Sequence, residues 1–295
     1  ETHCRKHGVQ VHGKDTFSLL GEINQAIVAE KILGEKKEYV QLQDVEIPVR
    51  PPVMCAGCPH RGLFYALKRR KVYVSGDIGC YTLGASAPLS AIDVCVCMGA
   101  SISSLHGYNI ARGEEQAHKA VAVIGDSTFI HSGITSLIDI AYNKGISKVI
   151  VLDNSITGMT GHQQNPTTGY TIKGDPTAAV SLEKLANAVG INRVRVVDPY
   201  NLEETMRVID EELAVDEPSM IISRRPCALL KYVKHNPPLK VDQEKCIGCK
   251  SCLSIGCPAI SIHSKKAEIS QTQCVGCDVC KQLCKFGAIG VGEAQ

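Results

Sequence analysis

An α/β fold with a doubly wound, mostly parallel sheet is what this 295-residue chain predicts, followed by a small cysteine-dense α+β domain. Three observations carry that prediction. Short apolar runs alternate with helical periodicities over residues 51–235. Two of those runs end in polar residues, Gly125-Asp126-Ser127 and Asp153-Asn154, at the carboxyl ends of strands, where open α/β sheets bind ligands. After Asn236-Pro237-Pro238, which reads as a linker, the composition turns to closely spaced cysteines, so residues 236–295 read as a second domain.

Residues 1–50 form an N-terminal segment with a helix expected over Leu19 to Leu33. Its first residue is Glu1, and the segment is expected to be the end of a longer polypeptide or a linker. His3, Cys4, His7 and His12 have the chemistry for a zinc site, although a frayed polar terminus is the simpler reading.

Arg50-Pro51-Pro52 is a stiff, extended entry into the α/β region. It leads to Cys55-Ala-Gly-Cys58-Pro59-His60, where Pro59 suits the first turn of a helix running to about Arg70. Strands are expected at Val72–Asp77 and Asp93–Met98, with a helix from Gly99 to about Arg112. Val121–Ile124 is a buried strand. Ser132 to Lys144 is a helix with Ile134, Leu137, Ile138 and Ala141 on one face, and Val149–Leu152 is the next strand. A right-handed crossover brings the ends of those two strands to one sheet edge. Asp126 and Asn154 then offer a carboxylate and an amide oxygen to one pocket, a hard-oxygen pair suited to Mg²⁺. The plainer alternative is a strand end with a solvated Asp. Val194–Asp198 and Met220–Ser223 complete the sheet, and Asn201 with Glu204 caps the helix between them.

A hydrophobic fraction of 44% supports a core, while a net charge of +2 gives no broad basic surface and so no nucleic-acid partner. No apolar run is long enough to cross a membrane. Fifteen cysteines clustered as C-x2-C indicate metal or cluster binding in a reducing compartment, hence a cytoplasmic location, rather than a disulfide framework.

Gly125-Asp126-Ser127 followed by Asn154 and Thr157-Gly158-Met159-Thr160-Gly161 resembles the signature of thiamine diphosphate enzymes, with Ser127 in place of a glycine. The resemblance implies a thiamine diphosphate-binding fold. It also implies Mg²⁺ held by Asp126, Asn154 and the Ile156 carbonyl, with Gly79, Gly125 and Ser127 around the diphosphate and Met159 packed beneath the thiazolium. In the tail, Cys246-x2-Cys249-x2-Cys252 with Cys257, repeated as Cys274-x2-Cys277-x2-Cys280 with Cys284, resembles the bacterial two-cluster ferredoxin run. By that family's crossed pattern, Cys246, Cys249, Cys252 and Cys284 would hold one [4Fe–4S] cluster, and Cys257, Cys274, Cys277 and Cys280 the other. Two departures stand out. Leu253 to Gly256 is one residue longer than usual, and Lys285 stands where Pro is usual.

Cys55, Cys58, Cys80 and Cys227 resemble a third cluster site, the one beside the thiamine of 2-oxoacid:ferredoxin oxidoreductases; four buried thiols, or zinc on Cys55, Cys58 and His60, are the alternatives. Cys95 and Cys97 would share one strand face and serve packing.

Together with Met54-Cys-Ala-Gly-Cys-Pro-His-Arg61 and Met159-Thr-Gly-His162-Gln163, these motifs resemble the C-terminal half of the large subunit of the indolepyruvate ferredoxin oxidoreductases, over roughly residues 12 to 292. The resemblance implies oxidative decarboxylation of an arylpyruvate to its acyl-CoA and CO2, with electrons leaving through the clusters to ferredoxin. His162 and His60 become candidates for proton handling. A pyrimidine-binding domain or subunit would supply the activating Glu, and a small subunit would complete a hetero-oligomer. Pyruvate or a branched-chain 2-oxoacid is the alternative substrate, and an electron-transfer subunit with no bound thiamine is the alternative from another class.

Overall fold

The computed structural model describes residues 1–36 and 45–291. Residues 37–44 of the N-terminal segment and 292–295 of the tail lie outside the described residues. The chain divides into two compact units, Glu1–Pro51 and Pro52–Gln295.

The first unit carries α1 (Thr2–Lys6) and α2 (Gln25–Leu33). The expected helix over Leu19 to Leu33 starts late because the Asn24 side chain accepts hydrogen bonds from the amides of Ala26 and Ile27, capping α2 there.

The second unit opens with α3 (His60–Arg70), β1 (Tyr73–Gly76), β2 (Val94–Cys95), α4 (Ser101–Arg112) and α5 (Glu114–Ala117). It continues with β3 (Ala120–Gly125), a turn of helix α6 (Asp126–Thr128), α7 (Ile134–Tyr142), β4 (Lys148–Asp153) and α8 (Leu182–Ala188). Then come β5 (Arg193–Val197), α9 (Leu202–Leu213) and β6 (Ser219–Arg224). Six strands form one sheet in the order β2-β1-β3-β4-β6-β5, every neighbouring pair parallel. Alternation splits the core over the two faces. Val121, Val123, Ile150 and Leu152 pack with Leu63, Phe64, Val208 and Ile209 of α3 and α9. Ala122, Ile124, Val149 and Val151 pack with Ile102, Leu105, Leu137, Ile140 and Leu182 of α4, α7 and α8.

Two expected elements of this unit differ. The strand over Asp93–Met98 is only β2, because the chain turns at Cys97, whose carbonyl accepts from Ala100 N at 3.2 Å, and enters α4. Cys97 is therefore exposed rather than packed, while Cys95 is half-buried. The helix expected from Ser132 begins at Asp126 and passes through a wider π-turn at Phe129–Gly133 before α7.

The tail adds β7 (Leu239–Val241), β8 (Ile260–His263), β9 (Lys266–Ile269), α10 (Val279–Gln282) and β10 (Ile289–Val291). They form two antiparallel pairs, β7 with β10 and β8 with β9. Their core, including Leu239, Ile255, Ile269 and Ile289, takes in Leu202 of α9, with Tyr65, Tyr200 and Met206 packed against it. Asn236 Nδ2 donates to Gly276 O at 3.1 Å, so the proline-rich connection lies against the tail. Among the described residues no helix is long and apolar enough to cross a membrane.

Candidate functional site

Because the sheet is parallel throughout, the segments leaving β1, β3, β4 and β6 gather at one edge. There a cavity is lined by His60, Gly79, Cys80, Tyr81, Gly125, Asp126, Ser127, Asn154, Ile156 and Met159. Nearly all the thiamine-site residues expected from the sequence are thus brought together; His162 is not among the lining residues. It is exposed, with Nε2 3.9 Å from Cys227 Sγ.

Asp126 is the electrostatic centre of the cavity. It is 2% exposed. Oδ1 accepts from the Ser127 amide at 2.6 Å, and Oδ2 is buried with no partner. Burial pushes its pKa up to about 7, the Asp153 carboxylate adds to the rise, and the amides of Ser127 and Ser155 oppose it. An orphaned, desolvated carboxylate oxygen is what a divalent cation would satisfy, so the donor chemistry here fits Mg²⁺. Asn154 is also buried, and its carbonyl accepts from Cys227 N at 2.9 Å, tying the β4 end to the β6 end. Ser155 takes a left-handed φ of 59°, which turns the chain into the loop that carries Ile156 to Met159.

His60 is held by burial at a pKa of about 4, so it stays neutral near pH 7. Its ring meets the edge of Tyr81 at 5.9 Å between centroids. Met159 lines the cavity but is 50% exposed, leaving one side of it open.

Sequence reasoning missed Tyr81 as a wall of the site. Its hydroxyl donates to Ile78 O at 2.8 Å, and its ring lies under both phosphate-side glycines. A Cβ on Gly79 would stand 2.4 Å from that ring, and one on Gly125 2.6 Å. An aromatic directly after Gly79-Cys80 at a strand end was the available signal. Asp77 was missed as well. Buried completely, it accepts from the amides of Ile78 and Gly99 at 2.8 Å and Ser101 at 3.0 Å, fixing the loop after β1 to the start of α4.

Twelve of the fifteen cysteines fall into three groups. Cys80 lines the cavity and lies close enough to Cys55 and Cys227 for their charges to act on it, and Cys58 lies near the same two. Burial pushes the Cys58 thiol up to about 12. Cys257, Cys274, Cys277 and Cys280 line a second, narrow cavity, which Cys58 also borders. Cys246, Cys249, Cys252 and Cys284 line a third. Among the described residues no three His, Cys, Asp or Glu side chains are drawn together tightly enough to hold a metal ion by themselves. The thiols surround cavities instead, and four soft sulfurs around each tail cavity suit iron–sulfur clusters.

Residues 77–223 match the thiamine pyrophosphate enzyme C-terminal TPP-binding domain. The chain is 39% identical to the indolepyruvate oxidoreductase subunit IorA of Pyrococcus horikoshii, over 95% of this chain and 48% of that one. It is 40% identical to the IorA of Archaeoglobus fulgidus, over 98% and 50%. A 2-oxoglutarate:ferredoxin oxidoreductase from Magnetococcus marinus shares the fold at a TM-score of 0.51 and 18% identity, over 64% of this chain and 68% of that one. Residues 77–223 therefore belong to the C-terminal TPP-binding domain of thiamine pyrophosphate enzymes, and the chain is a relative of the IorA subunit of indolepyruvate oxidoreductase that spans about half the length of the curated relatives it matches.

Proposed function

We propose that this chain is the thiamine diphosphate- and iron–sulfur-bearing part of a 2-oxoacid:ferredoxin oxidoreductase acting on an arylpyruvate such as indolepyruvate. One observation carries the reading: the cavity around the orphaned Asp126 oxygen and the group of four thiols share a wall at Cys80. A site for carbanion chemistry thus adjoins a site for electrons. Bound thiamine diphosphate supplies the electron sink for decarboxylation. The 2-oxoacid and coenzyme A give the acyl-CoA, CO2, one proton and two electrons, and two ferredoxin-type acceptors each take one electron.

The residues have distinct tasks. Asp126, Asn154 and the Ile156 carbonyl would hold Mg²⁺, and the Mg²⁺ the diphosphate. Gly79, Gly125 and Ser127 let the main chain approach the phosphates, and Met159 covers the ring side. His60, neutral at physiological pH, offers hydrogen bonding rather than a proton. His162, beside Cys227, belongs to the thiol group rather than to the substrate pocket. Cys55, Cys58, Cys80 and Cys227 would hold a cluster next to the thiamine. The tail, read as a ferredoxin-like domain, would hold two more, the inner on Cys257, Cys274, Cys277 and Cys280 and the outer on Cys246, Cys249, Cys252 and Cys284. A pyrimidine-binding domain carrying the activating Glu and a small subunit are the implied partners.

Anaerobic assembly with those partners tests the reading, using a panel of aryl, branched-chain and short 2-oxoacids with coenzyme A and a viologen acceptor. The expected result is dye reduction fastest with arylpyruvates. Asp126→Ala should lower Mg²⁺-dependent thiamine diphosphate affinity at least tenfold and leave the tail's iron absorbance intact. Equal thiamine content in the variant would refute the assignment.

A further inference from the structure

Arg61, on the first turn of α3, is only 4% exposed. Burying a charge is costly unless it is both hydrogen-bonded and paired. Its hydrogen bonds go to main-chain carbonyls. Nε donates to Cys55 O at 3.1 Å, Nη2 to Met54 O, and Nη1 to Ile255 O at 3.2 Å and to Gly256 O. These oxygens take four of the guanidinium's protons but supply no net negative charge. Four cysteines stand around it: Cys58, Cys257 and Cys277 line the same cavity as Arg61, and Cys55 supplies one of those carbonyls. Two of them belong to the group beside the thiamine cavity and two to the inner tail cavity, which Arg61 itself lines.

The geometry around it is tight. The two C-x2-C turns meet at Gly57, where a Cβ would stand 2.1 Å from Val275 Cγ2 and φ is +65°. The carbonyls of Ile255 and Gly256 lie in the segment between Cys252 and Cys257, the one that is a residue longer than the usual ferredoxin run. A Cβ on Gly256 would lie 3.2 Å from Nη1, so this longer segment forms the far side of the guanidinium's socket. The planar fork of donors thus reaches the Met54–Cys55 main chain and the Ile255–Gly256 segment at once.

We propose that Arg61 is a positioning residue: the fixed positive charge between the two inner cluster sites, raising their reduction potentials and holding their cysteine turns in register. The inference rests on the reading that both cysteine groups carry [4Fe–4S] clusters. Reduction adds negative charge to a cluster, and a neighbouring cation in a low-dielectric interior favours that form. The electron comes from the 2-oxoacid and leaves to the ferredoxin-type acceptor; no bond forms or breaks at Arg61.

The test uses the anaerobically assembled holoenzyme as wild type, Arg61→Gln and Arg61→Lys, with iron and sulfide analysis and EPR-monitored redox titration. At full iron content, Arg61→Gln should shift the one-electron reduction equilibrium of the inner clusters at least tenfold toward the oxidised form, about 59 mV lower in potential. Arg61→Lys should recover most of that shift, and the cluster on Cys246, Cys249, Cys252 and Cys284 should not move. Unchanged potentials in a fully loaded Gln variant would overturn the proposal, as would equal shifts in Lys and Gln. Should Gln lose iron, retained iron with wild-type potentials in Lys supports the charge role, and iron lost from both variants overturns it. Wild-type protein lacking the inner clusters would end the underlying reading before any variant is made.

Discussion

The Tyr81 ring sets the shape of the cavity floor, and it does so through what it forbids at its neighbours. Gly79 and Gly125 come from different strand ends, yet both are glycine for one reason: a methyl group at either would enter the same ring. Gly125→Ala should therefore destabilise the chain by about 1–3 kcal/mol through overpacking. Gly125→Ala with Tyr81→Leu should recover part of that loss, because contacting sites do not add. Equilibrium denaturation of Gly125→Ala, Tyr81→Leu and the double variant checks both statements, and simple additivity would count against the ring as cause. None of this coupling was legible from the sequence, which showed two glycines and a phosphate motif but not that one aromatic side chain underlies both.

At the level of elements, Lys148 shows how a strand start is fastened. It begins β4, is 1% exposed, and its Nζ donates to Val215 O at 2.7 Å and Glu217 O at 2.5 Å in the connection to β6. Burial lowers its pKa from 10.5 to about 8, against the pull of Glu212. Between those values the unfolded chain still holds a proton that the native chain has released, so this group makes stability rise with pH across the window. Urea denaturation from pH 8 to 10.5 should show a steeper rise in wild type than in Lys148→Met; identical slopes would mean that Lys148 stays charged when buried. The sequence revealed the central strands because β3 and β4 are apolar on both faces, and it revealed the cap of α9, where Asn201 accepts from Glu204 N at 3.2 Å. It overextended β2 because a two-residue edge strand and the turn after it share one apolar composition. It gave no sign of α8, whose start depends on Ser181 accepting from Lys184 N at 3.2 Å.

Across the whole molecule, the second unit joins sheet and tail into one body. Gln282 clasps the two: its Oε1 accepts from Leu202 N at 3.0 Å and its Nε2 donates to Tyr200 O at 2.7 Å. Gln282→Ala should cost about 1–2 kcal/mol and make the tail the first segment released in limited proteolysis under argon. An unchanged digestion pattern would place the hold elsewhere, in the packing of Leu202 and Met206 against the tail core. The tail's repeat was legible from cysteine spacing alone, and its resemblance implied a crossed sharing of ligands; Cys257, Cys274, Cys277 and Cys280 line one tail cavity, and Cys246, Cys249, Cys252 and Cys284 the other. Its seat on α9 was not legible, because that seat depends on residues 80 or more positions apart meeting in space.

Cys249 is exposed where Cys252 and Cys280 are buried. Under the proposed assignment, the outer cluster would lie nearest the solvent, so electrons would leave the chain there, away from the thiamine cavity. The choice of fuel and the choice of recipient are then written on separate surfaces, and selection can revise one without disturbing the other.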